Sequence, residues 1–354
     1  MPSGGRIRLL GGKTVLQRLR ALLVLSACMS LFFVGQSAAD PPHVPGGPCI
    51  QDDQNVSRSS VANYDDDVRT LGQIERSSQG LVTVESAGES GEGRDLLYAT
   101  VGSGEDVFWL QGRIHGNELQ GTQAALDIIK WLAGGTQEAR MIRENLTVVA
   151  IPLYNPDGAE ANIRQSTTPN RIDLNRDWEN FAQPESRAFY ALWESVRPKL
   201  ALDLHHMSSA PRVEGTNDLN QFQIGARSIS PTRMTDEQWL TNRQMASISL
   251  EALDGYGQTH TARYPDIDIT NAVLSRMLLG GPGPDGSDPG FKTQSAIFYE
   301  VRSVGQKSNG YLTNLFTRPA TALLTAAADG SLYSHGVSAW ETEPYATSGS
   351  CGDI

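Results

Sequence analysis

The chain has 354 residues, 39% of them hydrophobic and 19% charged, the balance of a globular protein with room for one large domain or two small ones. Its 29 Lys and Arg stand against 40 Asp and Glu, a net charge of −11, which repels phosphate backbones and argues against nucleic acid as a partner. No stretch is long and apolar enough to span a membrane as a mature helix.

Residues 1–39 hold Arg6, Arg8, Lys13, Arg18 and Arg20 and no acid, then an apolar run over 21–34 and the small residues Ser37, Ala38 and Ala39. That order reads as a secretory signal peptide, so a secreted or periplasmic protein starting at Asp40 is expected. A retained anchor and lipidation at Cys28, in Leu25-Ser26-Ala27-Cys28, are the alternatives. Loss of the signal leaves 24 bases against 40 acids, a net charge of −16. The two other cysteines, Cys49 and Cys351, lie near the two ends of the mature chain. In an oxidising compartment they are expected to form one disulfide. The organisation expected is therefore a signal over 1–39, a Pro- and Gly-rich leader over 40–63, a catalytic domain over 64–335, and a tail over 336–354 tied to the leader.

Along the domain, 81–102 alternates apolar and polar residues and predicts a hairpin. A short apolar strand follows at 107–110. Helical periodicity through Ala124, Leu126, Ile128 and Leu132 predicts a helix over 118–132. The Val- and Ile-rich run 146–153 is a buried-type strand. Pro184 opens a helix over 184–196. Strands are expected at 200–204 and 296–301, and helices at 242–253 and 311–328. Strands alternating with helices imply an α/β fold, a mixed, mostly parallel central sheet with helices on both faces. Its active site is expected outside the carboxyl ends of the strands.

Polar motifs fall at those ends. His115 and Glu118, in Gly112-Arg113-Ile114-His115-Gly116-Asn117-Glu118, are one helical turn apart and can face one point. Imidazole and carboxylate suit zinc, and a catalytic zinc takes three protein ligands. The third is expected at the strand end Asp203-Leu204-His205-His206. Strand alternation favours His205, with His206 the alternative. Glu300 lies inside the apolar run Phe298-Tyr299-Glu300-Val301-Arg302, where a carboxylate is costly without a partner or a task. Its readings are a general base toward water and an ion pair with Arg302. Asn155-Pro156-Asp157-Gly158 reads as a turn. Farther on, Asn175 and Arg176 combine an amide with a guanidinium fork that matches a carboxylate, and Asp173 is placed to receive a ligand imidazole. Ordinary surface salt bridges are the alternative for that segment.

His-x-x-Glu, Asn-Pro-Asp-Gly, Asp-Leu-Asn-Arg, strand-His and strand-Glu-x-Arg, in this order over 64–332, resemble the zinc carboxypeptidase family typified by the pancreatic enzymes. The resemblance implies the zinc carboxypeptidase (phosphorylase/hydrolase-like) fold and one Zn2+ per chain on His115, Glu118 and His205. It further implies Asp173 orienting His115, Asn175 and Arg176 on the substrate's terminal carboxylate, and Glu300 as base. An Arg that polarises the scissile carbonyl is also implied, with Arg164 the candidate and Arg171 the runner-up. The digestive enzymes carry Arg where this chain has Asn117, and a loop Tyr where it has Leu278-Leu279-Gly280-Gly281; Tyr264 and Tyr299 are the substitutes considered. Asp285 lies near the position where the family sets side-chain preference. The activity implied is a monomeric metallocarboxypeptidase acting on peptides or other carboxylate-bearing substrates. Its rivals are an N-acyl amino acid amidohydrolase, a peptidoglycan-trimming carboxypeptidase, and a non-catalytic binding module of the same fold.

Overall fold

The computed structural model describes residues 62–207, 211–257, 259–302 and 307–349, all within the unit Pro45–Ile354. The signal over 1–39, Cys28, Cys49 and Cys351 lie outside the described residues.

Helix α1 (Tyr64–Ser77) opens on an Asn63/Asp66 capping box, in which each side chain takes a backbone N–H of the other. The hairpin β1 (Val82–Glu89) and β2 (Asp95–Gly102) follows. Next come β3 (Asp106–Gly112), α2 (Gln120–Leu132), α3 (Gln137–Asn145), β4 (Leu146–Ile151), α4 (Pro156–Ala161) and α5 (Pro184–Val196). The chain continues through β5 (Leu200–Met207), β6 (Arg212–Val213), β7 (Phe222–Gly225), α6 (Asp236–Glu251), β8 (Thr261–Arg263) and α7 (Val273–Leu279). It ends with β9 (Ser295–Arg302), α8 (Asn309–Asp329), α9 (Ser338–Thr342) and β10 (Ala346–Thr347). Helix α6 starts six residues before the expected 242. Its Thr235/Gln238 capping box supplies the start, a local signal that hydrophobic periodicity does not register.

Among the described residues, eight strands form one sheet in the order β1-β2-β4-β3-β5-β9-β7-β8. Strands β4, β3, β5 and β9 run parallel, with antiparallel pairings at β1–β2, β2–β4 and β7–β9. The mixed α/β architecture is the one the element order predicts. Strand alternation splits the core between the two faces. Phe108, Leu110, Leu200, Leu202, Leu204, Ile297, Tyr299 and Val301 face the layer of α1, α2, α3, α6 and α8. Trp109, Ala201, Ala296 and Phe298 face α5 and α7. From β3 the chain crosses to β4 on one side, and from β4 it returns past β3 to β5 on the other. The β3/β5 boundary is therefore a topological switch point, where a crevice opens beyond the carboxyl ends of the strands.

Segment 338–348 packs against this body. Trp340 is buried in the core, the Arg263 guanidinium lies 4.0 Å from the Tyr345 ring centroid, and β10 pairs with β6.

Candidate metal centre and substrate cavity

His115 leaves the end of β3 at the switch point. Arg113 adopts a left-handed φ of 58° and turns the chain sharply after the strand. The turn closes with the Glu118 N–H donating to the His115 carbonyl at 3.0 Å. Neither residue is helical, because α2 begins at Gln120; the one-turn spacing expected of a helix entry is met by a loop turn instead. Asn155-Pro156-Asp157-Gly158, expected as a turn, instead opens helix α4, with Asn155 capping it through the Gly158 N–H, and this start packs against the loop. Asn155 Nδ2 donates to the Ile114 carbonyl at 3.3 Å, and a Cβ at Gly116 would run into the Gly158 backbone. This close approach gives Gly116 its reason, while a Cβ at Gly158 would meet the Gln165 carbonyl and the Asn155 side chain.

His205 and Glu300 are directly opposite each other on β5 and β9, on the face that carries Ala201 and Phe298. His206 points to the other face. There its Nε2 accepts from the Gln120 N–H at 3.1 Å, its ring stacks on Phe316, and burial pushes its pKa down to about 4. Alternation alone thus places the two histidines on opposite faces of β5.

His115, Glu118 and His205 are buried, and their potential ligand atoms lie within 4.8 Å of one another. The two Nδ1 atoms are 3.1 Å apart. Glu118 offers Oε1 to His115 Nδ1 at 2.7 Å and Oε2 to His205 Nδ1 at 3.0 Å. Each ring turns its Nε2 to a carboxylate, His115 to Asp173 at 3.3 Å and His205 to Asp203 at 2.8 Å. Carboxylates behind both imidazoles fix ring orientation and raise ligand basicity. Two facing nitrogens and a carboxylate, all buried and all held from behind, fit a zinc ion.

Burial alone would lower the His205 pKa, but Asp203 and Glu118 outweigh it and hold the ring well above its ordinary value. Burial raises Glu118, yet the two imidazoles hold it well below the usual carboxylate range. Burial raises Asp173, yet His115, Arg164 and Arg176 beside it hold it below the usual carboxylate range. Glu300 is different. Burial pushes its carboxyl up to about 7, it forms no ion pair among the described residues, and its Oε2 has no hydrogen-bond partner. The expected alternative of a Glu300–Arg302 pair is not what the fold builds.

Asp203 is the residue that motif reading passed over as a role. It stands two residues before His205 on one strand, hence on the same face, so the signal was present in the sequence. Asp203→Asn is expected to weaken zinc binding about 10- to 100-fold, measured by competition with a chromophoric chelator. Unchanged affinity would remove Asp203 from the centre.

A cavity of about 370 Å³ opens beside the cluster. Arg164, Asn175, Arg176, Tyr264 and Glu300 all line it together with His115 and His205. Arg164 donates to Asp173 at 3.1 Å and to Glu118 at 3.4 Å. Arg171 is exposed and does not line the cavity, so of the two arginines considered only Arg164 reaches it. Asn175 Oδ1 accepts from the Val273 N–H at 3.0 Å, which leaves its amide NH2 as the donating end. Tyr264 packs edge-on against Phe298. Tyr299 is buried on the opposite face and bonds Ser249 at 2.7 Å, so it cannot serve the cavity. Asn117 is exposed. Asp285 lies on an exposed loop, bound to Ser287, and is not among the cavity's lining residues.

The mixed α/β fold matches that of solved metallocarboxypeptidases, and the His-Glu-His cluster lies at its switch point. The zinc carboxypeptidase family model matches residues 68–194. That span includes His115, Glu118 and the 173–176 segment and ends before His205. "Carboxypeptidase 2" of Trichophyton rubrum is 29% identical over 249 residues, 66% of this chain and 45% of that protein. Human carboxypeptidase D is 28% identical over 252 residues, 65% of this chain and 17% of that protein. The chain thus spans less than half the length of these relatives. Among solved structures, the metallo-carboxypeptidase from Burkholderia cenocepacia superposes with TM-score 0.57 at 18% identity, covering 75% of this chain and 69% of that one. Carboxypeptidase A from Helicoverpa armigera gives 0.57 at 16%, covering 78% and 77%.

Proposed function

We propose that the chain is a secreted, monomeric zinc metallocarboxypeptidase that hydrolyses the C-terminal peptide bond of peptides. Residues 1–39 serve as its signal, 64–335 as its catalytic domain, and Cys49 and Cys351 as a disulfide. The observation that carries this reading is one cavity lined by His115 and His205 of the buried His-Glu-His cluster, by Glu300, whose Oε2 has no hydrogen-bond partner, and by the Asn175/Arg176 pair.

His115, Glu118 and His205 would hold one zinc ion, which would supply a Lewis acid for the scissile carbonyl and lower the pKa of water toward about 7. Asp173 and Asp203 orient the two imidazoles. Arg176 receives the substrate's terminal carboxylate as a two-point fork, with the Asn175 amide donating beside it. Arg164, at the edge of the cluster, donates to the carbonyl oxygen as charge develops there. Glu300 takes a proton from the attacking water and returns it to the leaving amine.

The test compares a benzoyl-glycyl dipeptide bearing a free C-terminal carboxylate with its C-terminal amide, an N-acyl amino acid and a muropeptide. Release of the last residue is expected from the free acid, at a rate at least about 100-fold above the amide, since an unpaired buried clamp rejects the neutral end. Turnover of the acyl amino acid or the muropeptide alone would overturn the reading, as would equal cleavage of acid and amide.

A further inference from the structure

One wall of the cavity is built by the segment between β8 and α7. Pro265, Ile267 and Ile269 line the cavity, followed by Ala272 and Leu274. The intervening acids, Asp266 and Asp268, are exposed and already engaged on the outer side. Asp266 pairs with Arg227 and accepts from Tyr345 Oη at 3.2 Å. Asp268 accepts from the Ser230 N–H at 3.1 Å and lies 3.5 Å from Arg233. An extended run places successive side chains on opposite sides, so Pro-Asp-Ile-Asp-Ile presents its apolar members inward and its acids outward. Phe298 of β9 also lines the cavity and packs edge-on against Tyr264. None of the ionisable residues that line the cavity lies on the 265–274 wall.

The same segment carries the substrate clamp. The hydrogen bond from the Val273 N–H to Asn175 Oδ1 ties the carboxylate-binding pair to the start of α7, one residue before Leu274. A terminal residue with its carboxylate at Asn175 and Arg176 therefore has its side chain beside Ile267, Ile269, Ala272, Leu274 and Phe298. A Lys or Arg side chain there would lose its water and meet no carboxylate, which is strongly unfavourable. An aliphatic or aromatic one gains by burial.

From this we infer that residues 265–274 form a neutral wall that selects peptides ending in an apolar residue, with Ile269 and Leu274 as specificity-determining side chains and the outward-turned Asp266 and Asp268 taking no part. The inference rests on the carboxypeptidase reading above.

The test measures kcat/KM for benzoyl-glycyl substrates ending in Phe, Leu, Arg, Lys and Glu. Phe and Leu are expected to exceed the charged residues by about 100-fold or more. Ile269→Asp brings a carboxylate to the wall and is expected to lower the Phe-to-Arg ratio at least about 10-fold. Ile269→Ala, a milder change, is expected to lower kcat/KM for Phe and Leu about 10-fold through lost contact, chiefly in KM, without raising Arg. Asp266→Asn leaves the preference unchanged. Release of terminal Arg, Lys or Glu at rates equal to or above Phe would overturn the inference and leave the carboxypeptidase reading standing. No release from any substrate would overturn both.

Discussion

Glu300→Gln is expected to lower kcat by about 100- to 10,000-fold, the range that a positioned general base contributes, with one zinc per chain still bound. The side chain is nearly isosteric and lies outside the His115, Glu118 and His205 cluster, so metal content and KM are expected to hold. The same substitution has a signature in stability. A carboxyl whose folded pKa is raised favours the folded state only while protonated. Burial holds Glu300 at about 7 against an ordinary 4.5. In the metal-free parent, stability therefore falls as pH rises between these values. The variant carries no such group, so its melting temperature is expected to exceed that of the metal-free parent by a margin that grows from pH 4.5 to 7 and then levels. Activity by rapid kinetics and melting by calorimetry check the two halves. Full activity in a zinc-loaded Glu300→Gln protein would sink its assignment as base.

Removal of zinc is the second large effect. With free zinc at about 1,000 times its dissociation constant, the bound ion adds about 4 kcal/mol of stability. For a domain of this size, chelation is expected to lower the melting temperature by roughly 8 °C and to abolish hydrolysis, and His205→Ala is expected to reproduce the loss of both. The pH dependence has a definite sign. Zinc requires neutral imidazoles, yet Asp203 and Glu118 hold the metal-free His205 ring well above its ordinary pKa. Loading must therefore expel a proton. The melting shift produced by zinc is expected to be larger at pH 8 than at pH 6, and a shift that is the same at both would contradict a histidine-bound ion. In the metal-free protein the trend runs the other way. The His205–Glu118–Asp203 contacts stabilise most where His205 is protonated and the carboxylates are charged, and that contribution is lost as pH rises through the raised histidine pKa.

The zinc-site geometry follows from features short in sequence. His115 and Glu118 share one turn, His205 and His206 are told apart by strand alternation, and Glu300 is conspicuous as a carboxylate inside an apolar run. Each is local, and local steric rules apply before any tertiary contact forms. Element types were legible for the same reason, since β3, β5, β9, α2, α5 and α8 each bury a face with its own period. Their ends were less so. Glu118 reads as helical by spacing, but the left-handed Arg113 and the packing of Gly116 on Gly158 hold it in a turn. That packing joins residues some forty positions apart.

What only the tertiary structure decided is the environment. Asp203 has its role because β5 aims it and His205 at one side of the sheet. Arg164 is preferred to Arg171 because its chain path returns to the cluster. Tyr264 faces the cavity while Tyr299 is sealed beneath the sheet against Ser249. The Pro265-Asp266-Ile267-Asp268-Ile269 alternation is plain in the sequence, but which of its two sides meets the substrate depends on how that segment docks against β9 and α7. The sequence by itself determined which residue types meet in the His-Glu-His cluster, at spacings that short-range geometry brings together. The fold decided the cavity beside it, because burial and charge partners are properties of segments brought together from distant parts of the chain.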